Sequence, residues 1–360
     1  MSSRLLTGAI AGCLLLTAVP AEAAPSPVRF LGEQHVPNVL AFDGTTVGGL
    51  SSIDYDPRTG QYVFLSDDRS ALQPARFYTA RFDVTKSGVG PVTFTATHPL
   101  RRADGTTYPA QGVDPEELRA DPWTGDYFWS QEGDRTATVL ADPSIRVAQR
   151  DGDHVRDLPI PDNERMLPDS GPRQNLVLEG LTFAAGGTLV VSALEGPLLQ
   201  DGPVATAEQG ALSRITVQTR GGTVLAQYAY PQEPVFAPGA GGSTGVSSIL
   251  AADPLDPSRY LVMERAFVSG VGNKVRIYEI DTHGATNVLH TASLSDAKVK
   301  PVRKKLLLDL ADHPLSKVDN VEGMTWGPRL PSGERTLVLV SDDNFSANQI
   351  TQVIAFAVRR

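Results

Sequence analysis

Five times along this chain the same short pattern returns: an apolar strand, a turn, a second apolar strand and a polar exit, with small or acidic residues at the entry. The copies run from Gly48-Gly49-Leu50 to Ser66-Asp67-Asp68, from Glu116-Glu117-Leu118 to Ser130-Gln131-Glu132, and from Glu179-Gly180-Leu181 to Ser192 and Glu195. Two more run from Thr244-Gly245-Val246 to Met263-Glu264-Arg265 and from Glu322-Gly323-Met324 to Ser341-Asp342-Asp343. Turn residues sit between the strands, as in Asp56-Pro57-Arg58-Thr59-Gly60 and Asp121-Pro122-Trp123-Thr124-Gly125. Proline fixes φ and glycine tolerates positive φ, so these are hairpin connections. Self-similarity at a period above fifty residues means a repeat architecture.

The third positions of the copies, Leu50, Leu118, Leu181, Val246 and Met324, are 68, 63, 65 and 78 residues apart. A unit of that size holds four short strands, which is one propeller blade. Residues 77–82, 92–97, 213–218, 223–228 and 275–280 are rich in β-branched and aromatic residues and supply the outer strands. Residues 114–120 read as a helical turn, and 306–313 as strand or turn. The reading is therefore an all-β chain, a β-propeller of five blades, with the N-terminal strand completing the last. The long fourth spacing leaves room for a sixth, degenerate blade. The run 353–358 is expected to pair with a strand near 28–31, closing the ring and removing two exposed sheet edges.

The N-terminus has the proportions of an export signal. Arg4 is followed by a mostly apolar stretch and by the small-residue site Ala21-Glu22-Ala23. Residues 1–23 are expected to be a signal peptide and 24–360 a single secreted domain. The apolar stretch is too short to favour a membrane span. A competing reading takes Ile10-Ala11-Gly12-Cys13 as a lipoprotein box, which would anchor the chain through Cys13. Cys13 is the only cysteine, so cleavage after Ala23 leaves no disulfide and no thiol nucleophile. Net charge is −9, which argues against a nucleic-acid partner. The domain is expected to act as a monomer.

In a blade the innermost strand and its neighbour are antiparallel, so the start of one lies beside the end of the other. Repeat symmetry then brings the acids of all copies to one mouth. Crowded carboxylates in poor solvent repel, and a bound cation or arginine partners must relieve them. Hard oxygen ligands suit Ca²⁺. We take Glu116, Glu179, Glu322 and Asp342 as candidate metal ligands. Glu195 or Glu264 is the candidate general base, and Arg265 the stabiliser of an oxyanion or phosphate. Gly241-Gly242-Ser243-Thr244-Gly245 matches the nucleophile-elbow pattern, but a β-like run follows it instead of a helix. No two histidines have metal-pair spacing.

The chain resembles the secreted phytase-like family described as having esterase-like activity. The words that carry the resemblance include Leu65-Ser66-Asp67-Asp68-Arg69, Asp142-Pro143-Ser144-Ile145-Arg146 and Asn175-Leu176-Val177-Leu178-Glu179-Gly180-Leu181. They continue with Ala193-Leu194-Glu195-Gly196-Pro197-Leu198, Asp319-Asn320-Val321-Glu322-Gly323-Met324 and Ser341-Asp342-Asp343-Asn344-Phe345-Ser346. The likeness runs in order over about residues 28–358. It implies a propeller that hydrolyses an ester bond of a small molecule: a phosphomonoester, a carboxylic ester or a lactone, with a divalent cation, Ca²⁺ first, at the channel mouth. The chain does not show a clear counterpart of the full ligand set of the calcium-dependent propeller phytases. The alternative is a non-catalytic extracellular propeller that binds a ligand or a cell-wall component, its acids paired with Arg69 and Arg265.

Overall fold

The computed structural model describes residues 27–295 and 297–359. The signal-peptide and Cys13 readings fall outside those residues. Five four-stranded antiparallel sheets form five blades. Blade 1 runs outward through Leu50–Asp56, Gln61–Ser66, Arg76–Arg81 and Thr93–Pro99. Blade 2 comprises Pro115–Ala120, Tyr127–Gln131, Ser144–Ala148 and His154–Leu158. Blade 3 comprises Leu178–Ala184, Leu189–Leu194, Leu212–Thr219 and Val224–Pro231. Blade 4 comprises Ser243–Ala251, Arg259–Val268, Gly272–Asp281 and Arg303–Asp309. Blade 5 is built from Asn320–Gly327, Arg335–Asp342 and Thr351–Val358, with Val28–Val36 as its outermost strand.

The ring closes as expected: Val28 pairs with Val358, Arg29 with Ala357 and Phe30 with Phe356. The strand Thr351–Val358 is buried along its whole length. No sixth blade is present among the described residues. The long fourth spacing is taken up by an excursion between strands 272–281 and 303–309 that returns to blade 3. There Asn287 bridges to Tyr228, and the Val288 N–H donates to the Gln227 carbonyl. Residues 115–120 form a strand, not a helical turn. The glycine-rich run at 241–245 leads into the innermost strand of blade 4, so it is no nucleophile elbow.

Each blade is buried on both faces, and successive side chains serve opposite neighbours. Phe64 packs with Val338 and Val340 of blade 5, whereas Val63 and Leu65 pack with Leu118 and Trp129 of blade 2. Three further apolar clusters fill the interfaces between blades 2 and 3, 3 and 4, and 4 and 5. These inter-blade cores set the tilt of every innermost strand, and so decide where its entry points.

Strand register corrects the phase of the repeat. All five third positions lie on innermost strands, but they are not all equivalent. Leu118 pairs with Trp129, Leu181 with Ser192 and Met324 with Leu339; the same place is held by Ile53, paired with Phe64, and Ile249, paired with Val262. Leu50 and Val246 sit three residues earlier, opposite Ser66 and Glu264. The sequence pattern mistook one apolar inward position for another because both are buried in every blade.

Candidate active site at the channel mouth

Every innermost strand carries an irregularity in its pairing near its entry. The register shifts between Leu50 and Ser52, Pro115 and Leu118, Leu178 and Gly180, Val246 and Ser248, and Val321 and Gly323. A β-bulge leaves one residue unpaired and re-aims its side chain. The bulge residues are Ser51, Glu116, Glu179, Ser247 and Glu322 in blade order. One place beyond the corresponding pair on the second strand stand Asp67, Glu132, Glu195, Arg265 and Asp342. The mouth is thus two stacked rings, with acids replaced by Ser51 in blade 1 and by Ser247 and Arg265 in blade 4.

This geometry places the candidates. Glu116, Glu179, Glu322, Asp342 and Arg265 line a mouth cavity of about 840 Å³, together with Asp67, Asp114 and Arg69. Glu195 reaches Arg265 at 3.5 Å, and Glu322 reaches it at 3.3 Å. Gly245 makes room for Glu195: a Cβ there would lie 2.4 Å from Glu195 Cγ. Glu264 is not brought to the mouth. Consecutive strand residues face opposite ways. Its carboxylate accepts from the Tyr230 hydroxyl at 2.6 Å, from Lys304 Nζ at 2.5 Å and from the Glu233 N–H at 3.1 Å. That network ties blade 3 to blade 4 and leaves Arg265, its neighbour, as the residue that faces the channel.

The acids fall into groups by partner. Asp342 accepts from Asn320 Nδ2 at 3.2 Å and from the Asn344 N–H at 2.8 Å. Asp114 faces Arg69 at 3.4 Å. Glu132 accepts from the Val177 N–H at 2.7 Å through one oxygen, leaving the other for a ligand. Among the described residues the Glu179 carboxylate has no hydrogen-bond donor or ion-pair partner, although only 8 % of the residue is exposed. Burial, then Glu195, Glu132 and Glu322, push its carboxyl well above the usual range. Burial does the same to Asp67, Glu116, Glu132 and Asp342, with neighbouring carboxylates adding to it. Burial carries Glu195 up to about 7 against the pull of Arg265, and Asp114 up to about 6 against that of Arg69.

Two sets of three carboxylates approach closely enough to hold a cation: Asp114, Glu116 and Glu132, and Glu132, Glu179 and Glu195, each with oxygens within 4.8 Å of one another. Glu132 belongs to both. It and Asp114 stand outside the four ligands read from the sequence. The position of Glu132 in the repeat was visible, but that Val177 would hold one oxygen and free the other was not. An all-oxygen donor set with the unpartnered Glu179 fits a hard divalent cation.

Below the mouth the channel is shut. Arg119 reaches one carbonyl in each of the other four blades: Leu181 at 2.7 Å, Met324 at 2.9 Å, Ile53 at 3.0 Å and Ile249 at 3.3 Å. These are the equivalent positions identified by the register. Glu117 lies 3.1 Å from Arg119 and takes hydroxyls from Ser52 and Ser248, each at 2.6 Å. The mouth is therefore a blind cup, and Arg119 also borders a cavity of about 230 Å³ at the other end.

Fold and site together define a five-blade propeller with a closed, carboxylate-lined mouth. The chain belongs to the Phytase-like family, "Esterase-like activity of phytase", whose model matches residues 45–345. Among solved structures it is similar to a chain titled "Structure of Dos1 propeller", at 6 % identity and TM-score 0.36, covering 86 % of this chain and 68 % of that one. It is also similar to a "glucose dehydrogenase", at 12 % identity and TM-score 0.40, covering 92 % of this chain and 99 % of that one. No curated protein matches the chain. Among the described residues no helix is long and apolar enough to cross a membrane.

Proposed function

We propose that the chain is a secreted, monomeric hydrolase of ester or phosphoester bonds in small molecules, assisted by a divalent cation, Ca²⁺ first, at the propeller mouth. The observation that carries this is Glu179: a buried carboxylate with no hydrogen-bond or ion-pair partner among the described residues, facing the cavity within reach of Glu132 and Glu195. A carboxylate in that position needs a proton or a cation. Glu132 and Glu179 would hold the cation, with Glu116 and Asp114 on one side of them and Glu195 on the other, while Glu322 and Asp342 support the rim from their own partners. A cation there supplies Lewis acidity to the substrate oxygen and acidifies water.

The chain's own residues supply the rest. Glu195, held between the carboxylate group and Arg265, takes a proton from the attacking water and returns it to the leaving oxygen. The water oxygen bonds to the acyl carbon or phosphorus as the ester C–O or P–O bond breaks, giving an acid and an alcohol. Arg265 lines the cavity between Glu195 and Glu322 and would turn towards the oxygen on which negative charge builds. Glu264 has no part in this scheme. Residues 1–23 support export.

The test compares wild type with Glu179→Gln, with Ca²⁺ and with chelator. Wild type should hydrolyse an ester only with the cation and gain melting temperature from it, because a ligand of the folded state stabilises by mass action. The variant should lose most of both. An equal calcium shift in the two proteins would remove Glu179 from the cation site and favour the non-catalytic binding propeller.

A further inference from the structure

We infer that the ester taken here is borne by a neutral, polyhydroxylated small molecule, such as an acylated sugar, and not by a phosphorylated one. This rests on the hydrolase reading above and names its substrate class.

The first observation is charge. The cavity is lined by seven carboxylates, Asp67, Asp114, Glu116, Glu179, Asp319, Glu322 and Asp342, against three cations. All three cations are already engaged. Arg69 faces Asp114, and Arg265 bridges Glu195 and Glu322. Lys317 donates to Asp319 at 2.8 Å and to the Asn348 carbonyl at 2.9 Å. Phosphate sites present arginine forks or free lysines to the anion. Here each such cation already faces a carboxylate, and carboxyls outnumber cations in the lining seven to three. A phosphomonoester dianion would compete with those carboxylates for every cation it met.

The second observation is the amides of the same lining. Among the described residues, the side chains of Asn175, Asn344, Asn348 and Gln349 have no hydrogen-bond partner. An amide offers both a donor and an acceptor, which is what a hydroxyl group requires of a partner, and it carries no charge. Beside them Phe267, 39 % exposed, offers an apolar face to the C–H side of a sugar ring. Carboxylates that remain ionised accept hydroxyls equally well. A cup lined by carboxyls, neutral amides and one aromatic ring therefore recognises hydroxyls.

Three probes separate the alternatives: glucose 6-acetate, glucose 6-phosphate and ethyl acetate, each with saturating Ca²⁺. The first two place an acyl or a phosphoryl group on the same oxygen of the same sugar, and the third keeps the acyl group without the hydroxyls. We expect kcat/KM for glucose 6-acetate to exceed that for either other probe by about tenfold or more, the equivalent of two or three hydroxyl contacts. Gln349→Ala and Phe267→Ala, checked for folding by circular dichroism, should each raise KM for glucose 6-acetate about fivefold more than KM for ethyl acetate. Equal or better turnover of glucose 6-phosphate would overturn this inference and leave the hydrolase reading standing. So would equal turnover of ethyl acetate. If none of the three is hydrolysed with Ca²⁺, Mg²⁺ or Mn²⁺, the hydrolase reading fails and this inference fails with it.

Discussion

Arg119 has no counterpart in the other blades, yet it touches all of them. Its guanidinium takes carbonyls at the same register position from blades 1, 3, 4 and 5, and its charge faces Glu117. Removing one partner of a buried pair leaves the other charge uncompensated, which typically costs about 3–5 kcal/mol. Arg119→Met should therefore lower the unfolding free energy by about that amount, read by urea denaturation, and Glu117→Gln in the same chain should restore part of it. Glu164 poses a different residue-scale question, because its partners are neutral. It accepts from the Thr216 hydroxyl at 2.5 Å and from Gln227 Nε2 at 2.8 Å, while burial pushes it up to about 7. A carboxyl raised in the folded state stabilises fully below its unfolded value near 4.5, and that stability is lost as pH rises through about 7. Glu164→Gln keeps the single oxygen that accepts both bonds and cannot ionise. Between pH 5 and 8 the variant should lose less stability than wild type, by on the order of 2–3 kcal/mol. Identical pH profiles would show that Glu164 is ionised in the folded protein at neutral pH.

At the scale of the element, the bulge near the entry of each innermost strand is what turns a repeat into a site. Without it, strict alternation would turn Glu179 and Glu322 to the blade face opposite the core residues Leu178 and Val321, towards a neighbouring blade. The repeated acid before a small or apolar residue was legible in the sequence. The bulge was not, because it inserts one residue without changing the apolar pattern, and the phase of blades 1 and 4 was accordingly read three residues early. The same ambiguity explains Glu264. One step along a strand reverses a side chain, so Arg265 and not its neighbour took the channel position that acids hold in the other blades. Close approach across the innermost strands supplies a prediction at this scale. Gly245→Ala places a Cβ 2.6 Å from Glu195 Oε1 and 2.4 Å from its Cγ, and must displace that carboxylate. The variant should keep its β-sheet circular dichroism but show a smaller Ca²⁺-induced rise in melting temperature. A full-sized rise would place Glu195 outside the cation group.

For the whole molecule, closure is the controlling event. The last strand, Thr351–Val358, lies between Arg335–Asp342 and the N-terminal Val28–Val36, so blade 5 is sewn from both ends of the chain. Ile354, Phe356 and Val358 belong to the core shared with blade 4, and Val353 to that shared with blade 1. Deleting residues 350–360 strips both interfaces and exposes two sheet edges. The truncated protein should lose its single cooperative unfolding transition and aggregate on warming, and a preserved melting temperature would contradict closure through this strand. Such a ring was determined by the sequence alone, because strand periodicity, turn residues and repeat length are local properties that survive without knowledge of neighbours. The acid-rich mouth was also written there, as carboxylates recurring at matched places. Tertiary structure alone decided the rest: the register of each bulge, the pairing of Arg265 with Glu195 and Glu322, the unpartnered state of Glu179 and the axial seal by Arg119. These depend on which groups meet across blades 60 to 200 residues apart, and a blade repeated five times says nothing about the one side chain that breaks its symmetry.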